Sequence, residues 1–349
     1  MLRALEIKNF TVFEEAKLEF SPGLNVVIGE NGTGKSHLLK LGYSMMQVSF
    51  ESGVVGLFGS EQDRITRQLR FVFHAEKLGN LISYRARNLK GEISIFFNRD
   101  FKNSTDFSFD SIDIGFNFEF QTRLVSLRKF TAASIVIRPV FIPTKEILSI
   151  YSGFAAALRN RELAFDSTYL DLADALALTP LKGERAEQVK PLIKTLEKQM
   201  DGKVVVENGR FYISTDNRKL EMPLVAEGIR KIAMLAYLLM NGSLQKGTTL
   251  FWDEPETNLN PKMIRHLAQT LVILSGMEIQ IVLATHSLFL LRELQIQLSL
   301  NPNVPAQFFA LKREGKSVTV QQGSSIEDVD PIAALDADLE QSDRYLELT

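Results

Sequence analysis

Gly29-Glu30-Asn31-Gly32-Thr33-Gly34-Lys35-Ser36 follows the apolar run Leu24-Asn25-Val26-Val27-Ile28 and leads into His37-Leu38-Leu39-Lys40-Leu41. The order is strand, glycine loop, helix. Glycines let backbone N–H groups close around phosphates, a lysine at position 35 can reach the β and γ oxygens, and the Ser36 hydroxyl can ligate Mg²⁺. Chance would produce this spacing in about one chain in a hundred of this length, and the flanking strand and helix make accident rarer still. A nucleoside triphosphate, ATP or GTP, is the ligand this stretch implies.

Such a loop needs a carboxylate for the magnesium shell and another to orient attacking water. Thr248-Thr249-Leu250-Phe251-Trp252 reads as a buried strand ending in Asp253-Glu254-Pro255-Glu256. Asp253 stands where a metal-holding aspartate belongs, and Glu254 where a water-activating carboxylate belongs. A third apolar strand, Ile279 to Thr285, carries His286 at its carboxyl end. Ligands of open α/β sheets bind at that edge, so His286 is a candidate γ-phosphate sensor, although a lone histidine there also serves structure.

The order of these pieces carries a resemblance. Asn9-Phe10-Thr11-Val12-Phe13, Phe20-Ser21-Pro22-Gly23-Leu24-Asn25, the phosphate loop, Asp253-Glu254-Pro255-Glu256-Thr257-Asn258-Leu259-Asn260-Pro261 and Ala284-Thr285-His286-Ser287 resemble the ABC-type ATPase heads. Within those, they look most like the RecF, SMC and OLD-like group of AAA-type bacterial ATPases. The resemblance implies an α/β P-loop NTPase of ABC type, with a mixed sheet, an antiparallel β lobe and a compact helical and hairpin insertion. It implies ATP and Mg²⁺ as ligands and face-to-face homodimers, or higher oligomers built on them, with each nucleotide sandwiched between one phosphate loop and the partner's signature helix.

Ala226-Glu227-Gly228-Ile229-Arg230-Lys231, running into an apolar helix to Met240, fits the signature place, with Ala226, Glu227 and Gly228 meeting the partner's nucleotide. The segment departs from the family in Ala226, where serine is frequent. Asn260 stands where many OLD-like members have histidine, and Thr11 where SMC and RecF heads commonly have arginine. Pro143-Thr144-Lys145-Glu146, after an expected buried strand Ile135-Val136-Ile137, is the best candidate for the glutamine loop.

The organisation expected is an N-terminal core part over 1–146, an insertion over 147–219, a C-terminal core part over 220–326 and an acidic tail over 327–349. Residues 91–142 read as the β lobe, with Ile112 to Phe120 alternating strictly. Val204 to Ile213 reads as a hairpin about Asn208-Gly209, and Phe308-Phe309-Ala310-Leu311 with Val318-Thr319-Val320 as a closing hairpin. No sustained heptad run occupies the insertion, so a long coiled-coil arm is not expected. The insertion is either a platform for another chain or a lid that completes the core.

The chain has 349 residues, 45% of them apolar, no cysteine and four histidines. Disulfides and thiolate metal sites are excluded, and no apolar run reaches the roughly 20 residues of a membrane helix, so a cytoplasmic protein without membrane contact is expected. The net charge of −2 offers no global argument for nucleic acid. Eight acids and one base beyond residue 326 give a tail of −7 and a body of +5. Such a tail is ordinarily solvated and loosely ordered, and Arg64, Arg67, Arg70, Arg85 and Arg87 are candidates for a basic face. What the family resemblance implies for function is an ATP-driven switch for a separate effector protein in anti-phage defence; the alternative is a RecF-like clamp that binds DNA directly and turns over slowly.

Overall fold

The computed structural model describes residues 1–53, 59–83, 89–98, 111–131, 135, 137–160, 163–329 and 344–345. The first half of the chain comprises β1 (Leu2–Phe10), β2 (Phe13–Glu19), β3 (Leu24–Gly29), α1 (Lys35–Ser52), α2 (Glu61–Val72), β4 (Gly91–Asn98), β5 (Ser111–Phe118), β6 (Ser126–Phe130), β7 (Val140–Ile142), α3 (Tyr151–Arg159) and α4 (Ser167–Leu176). After these come α5 (Glu184–Met200), β8 (Lys203–Glu207), β9 (Arg210–Ser214), β10 (Lys219–Glu221), α6 (Glu227–Met240), β11 (Thr249–Asp253), α7 (Pro261–Gly276), β12 (Gln280–Thr285), α8 (Leu288–Leu300), β13 (Ala306–Glu314) and β14 (Ser317–Gly323).

Every residue of β3, β11 and β12 is buried. Strands covered on both faces need apolar side chains in both registers, and these supply them. They lie at the centre of a six-stranded sheet ordered β14-β13-β3-β12-β11-β7, parallel apart from β14. Alternate side chains feed two cores. Val26, Ile28, Trp252, Leu283 and Phe308 face the helical side, while Val27, Phe251, Val282 and Phe309 face α1 and the second sheet.

That second sheet, ordered β2-β1-β4-β5-β6, is antiparallel throughout. The lobe expected over 91–142 therefore also recruits β1 and β2, whereas β7 leaves it for the edge of the parallel sheet beside β11. The strand expected at Ile135-Val136-Ile137 is displaced: Val136 lies outside the described residues, and pairing begins at Val140, directly after Pro139. A proline has no N–H to give a ladder, and Arg138 is spent on an ion pair with Asp171 at 3.1 Å. Pro143 to Glu146 consequently follow β7 without a gap.

The segment from 147 to 219 contains α3 to α5 and the three-stranded sheet β10-β9-β8. Asn208 and Gly209 both take positive φ, 49° and 71°, as the tight hairpin turn requires. Phe154, Tyr169, Leu172, Leu196 and Phe211 join the same apolar cluster as Trp252 and Tyr237. The hairpin β13–β14 turns at Gly315, and β13 pairs in parallel with β3, so it lies inside the sheet as well as closing it.

Two charge expectations are corrected. Arg64 faces inward, 9% exposed and paired with Glu61, so of the arginines proposed for a basic face only Arg67 and Arg70 are exposed on α2. Arg85 and Arg87 lie outside the described residues, as does the tail from residue 330 apart from 344 and 345. The tail's first acids are structured: Asp328 closes a capping box with Ser325, and Glu327 accepts a hydrogen bond from Gln295 Nε2 at 2.6 Å.

Candidate nucleotide site

β3 delivers the chain to Gly29, and α1 starts at Lys35 with Gly34 as its N-cap at φ 91°. A Cβ on Gly34 would stand 2.7 Å from both the Phe13 ring and Val12, so backbone conformation and space both demand glycine. No side chain caps α1, which leaves its first N–H groups directed at the loop, the arrangement that binds phosphate. Glu30, Asn31 and Gly32 are exposed, while Thr33 is buried and its hydroxyl donates to Glu30 O at 2.8 Å. The Lys35 ammonium donates to Gly29 O at 2.7 Å and Glu30 O at 2.9 Å. Burial lowers its pKa, and Glu254, Asp253, Glu256 and Glu30 pull it back up.

The strand register brings the carboxylates to this loop. Asp253 ends β11 opposite Ala284 of β12, and Thr285 pairs with Ile28 of β3, so three neighbouring parallel strands end at one edge. Burial raises the pKa of Asp253 and the nearby Ser36 hydroxyl lowers it. Asp253 Oδ1 is buried with no hydrogen-bond partner among the described residues. A buried, unpaired carboxylate oxygen beside a hydroxyl, at a phosphate loop, suits a hard cation that takes oxygen ligands, so the residues fit Mg²⁺.

Glu254 leaves the strand at φ 48°, its N–H donating to Ala284 O at 2.9 Å. That turn brings Glu254 Oε1 to 3.2 Å from His286 Nδ1. Glu256, two residues on, is 7% exposed. Its Oε1 accepts from the Thr285 hydroxyl at 2.5 Å, and its Oε2 is buried with no partner among the described residues. Burial raises its pKa, the Thr285 hydrogen bond opposing.

Lys35, Ser36, Asp253, Glu254 and His286 thus share one sheet edge. Ala226, Glu227 and Gly228 stand elsewhere, at the start of α6 against the turn that follows β11. Asn258 Nδ2 donates to Glu227 Oε2 at 3.0 Å, and a Cβ on Gly228 would meet Leu259 at 2.8 Å. Ala226 offers no side-chain cap. Arg230 bridges α6 to Glu146 at 2.6 Å, tying the start of α6 to the loop after β7. Sequence reasoning passed over Glu256 and Lys231, and also Arg313, whose Nη2 donates to Gly32 O at 2.5 Å. The acid in Asp253-Glu254-Pro255-Glu256 was visible, but its burial was not; Arg313 left no signal, because β13 becomes a neighbour of the loop only in the folded sheet.

Comparison with known proteins agrees with this architecture. Residues 4–41 match a family of AAA domains, and residues 24–292 match the family described as AAA domain, putative AbiEii toxin, type IV TA system. The DNA replication and repair protein RecF of Lactococcus lactis subsp. lactis (strain IL1403) is 49% identical over 39 residues, 11% of either chain. The DNA double-strand break repair Rad50 ATPase of Archaeoglobus fulgidus is 45% identical over 40 residues, 12% of this chain and 4% of that one. The chain thus spans about a tenth or less of these relatives. In three dimensions it is similar to the Pyrococcus furiosus Smc head domain with an extended coiled coil, crystallised bound to the C-terminal domain of ScpA. The TM-score is 0.54 at 14% identity, over 99% of this chain and 98% of that one. Since one family spans 269 of the 349 residues, the protein belongs to the family described as AAA domain, putative AbiEii toxin, type IV TA system, and its fold is that of an SMC head domain.

Proposed function

We propose that the protein binds and hydrolyses ATP between two copies of itself, and that the closed and open states of this dimer act as a switch on a separate effector protein in the cytoplasm, in anti-phage defence. The observation that carries the catalytic part is the convergence of Lys35, which opens α1 after β3, with Asp253 and Glu254, at the end of β11, at one edge of the parallel sheet. Lys35, now directed at Gly29 and Glu30 carbonyls, would turn to the β and γ oxygens of the nucleotide. Ser36 and Asp253 would hold Mg²⁺, which when bound supplies charge neutralisation on the phosphates. Glu254 orients water for in-line attack on the γ-phosphorus and accepts its proton, the bond to the β–γ bridging oxygen breaks, and ADP leaves. His286 shares a contact with Glu254 and faces the γ-phosphate position. The partner copy's Ala226 to Gly228 segment would complete the site from the start of α6, where unoccupied N–H groups favour an anion.

Support for a switch comes from the compact insertion, which suggests a platform for another chain, and from the family of putative toxins. A second reading, a DNA-binding clamp with slow turnover, draws on the matched segments of RecF and Rad50 and on the exposed Arg67 and Arg70 of α2. No described helix is long and apolar enough to cross a membrane.

Lys35→Ala should abolish ATP binding measured by calorimetry. Glu254→Gln should bind ATP normally, lower kcat roughly 100-fold or more and accumulate an ATP-dependent dimer in light scattering. Wild-type turnover in Glu254→Gln would remove the base from this scheme. Capture of Glu254→Gln from its native host with ATP and Mg²⁺ separates the two readings: a stoichiometric protein partner supports the switch, and DNA alone supports the clamp.

A further inference from the structure

Lys231 lies in α6, one turn beyond Ala226, and is 2% exposed. Its ammonium donates to Thr257 O at 2.6 Å and, at a longer 3.4 Å, to Pro255 O. Those two carbonyls flank Glu256. A buried ammonium is costly unless its hydrogen bonds are made, so this lysine fixes the backbone of the turn after β11 to the body of α6. The turn is further closed by Thr257 N–H to Glu254 O at 3.2 Å and Leu259 N–H to Glu256 O at 3.0 Å.

From this turn the Glu256 side chain reaches across to the end of β12. The Thr285 hydroxyl donates to Glu256 Oε1 at 2.5 Å and accepts from the Ser287 N–H at 3.0 Å. A hydroxyl engaged on both sides has one rotor position. Ser287 in turn caps α8 by accepting from Leu290 N–H at 3.2 Å. His286 stands between the two residues so held, which places its backbone beside Glu254, whose Oε1 lies 3.2 Å from the ring Nδ1.

We propose that Glu256, seated by Lys231, is a positioning residue that sets His286 against Glu254, so that displacement of α6 alters the His286–Glu254 contact of the same subunit. This rests on the reading above, in which the start of α6 meets the partner's nucleotide. Occupancy of one site would then be communicated to the chemistry of the other through four side chains: Lys231, Glu256, Thr285 and His286. Glu256 touches no reacting atom in this scheme; it acts through Thr285.

With only four histidines, ring ¹³C-labelled protein gives a spectrum in which His286 is assigned by its absence from His286→Ala. In the nucleotide-free protein, Thr285→Val should shift the His286 line while His37, His74 and His266 stay in place; Thr285→Ser, which keeps the hydroxyl, should restore it. Lys231→Met, a change in α6 and distant in sequence, should shift the same line. In turnover, Thr285→Val and Glu256→Gln should lower kcat on the order of tenfold with KM for ATP within about twofold. A His286 line unmoved in either Thr285→Val or Lys231→Met would overturn the proposal, as would a loss of ATP affinity equal to the loss of kcat, which would mean a deformed nucleotide pocket. The resonance experiment needs no nucleotide, so a chain without ATPase activity would refute the hydrolytic scheme and leave the positioning role to be decided by the spectrum.

Discussion

Asp171 shows how a single side chain can make stability depend on pH. The Tyr43 hydroxyl donates to its Oδ2 at 2.7 Å and Arg138 Nη2 to its Oδ1 at 3.1 Å. Burial nevertheless dominates and pushes its pKa up to about 6 from the ordinary 3.8. Below pH 4 both folded and unfolded chains carry the proton and the native state has its full advantage from this group. That advantage is lost as pH rises through 6, because the folded state must then ionise a buried acid. Asp171→Asn should therefore gain on the wild type by on the order of 2 kcal/mol between pH 4 and pH 7.5 in urea titrations; a difference that is flat or opposite in sign would contradict the assignment. At this scale the phosphate loop was legible because its chemistry resides in backbone geometry, which glycine spacing encodes. Lys231 and Glu256 were not, because a carbonyl acceptor has no residue type and Thr285 stands 29 positions from Glu256.

Among the elements, α7 begins with a cap that belongs to the turn after β11. Asn260 Oδ1 accepts from Met263 N–H at 3.0 Å, and Pro261 occupies the first helical position, where its missing N–H costs nothing. Asn260→Ala should cost about 1 kcal/mol in equilibrium unfolding and Asn260→Asp much less; equal losses would assign the effect to something other than the cap. The proline was readable as a helix start, whereas the asparagine drew notice only as a departure from histidine. Long, evenly apolar strands such as β3 and β12 declared themselves. The three residues of β7 did not, because so short a run has no period and its place depends on β11 to pair with. The lobe was half visible for a related reason: β4 and β5 alternate clearly, but nothing local says that β1 and β2, sixty or more residues earlier, complete their sheet.

For the whole molecule, two cores share one parallel sheet, and the segment from 147 to 219 contributes to one of them. Phe211 packs edge-on against Tyr237 of α6 at 4.9 Å between ring centroids. Replacing 147–219 by a short Gly/Ser linker should therefore leave no cooperatively folded, ATP-binding remainder, as judged by near-UV circular dichroism and nucleotide calorimetry. A remainder that melts sharply and binds ATP would show the segment to be an independent platform. The position of β3 also orders events in time. Residues 24–29 pair on one side with 280–285 and on the other with 306–311, and a buried Gln280 side chain bonds Leu2 N–H and C=O at the start of β1. A ribosome makes β3 long before β12 and β13, so the loop cannot acquire its shape until those strands have been made. Nucleotide binding then waits until the chain has been extended past β13, and the long wait exposes an apolar strand to the chaperones that attend slow, non-local folding.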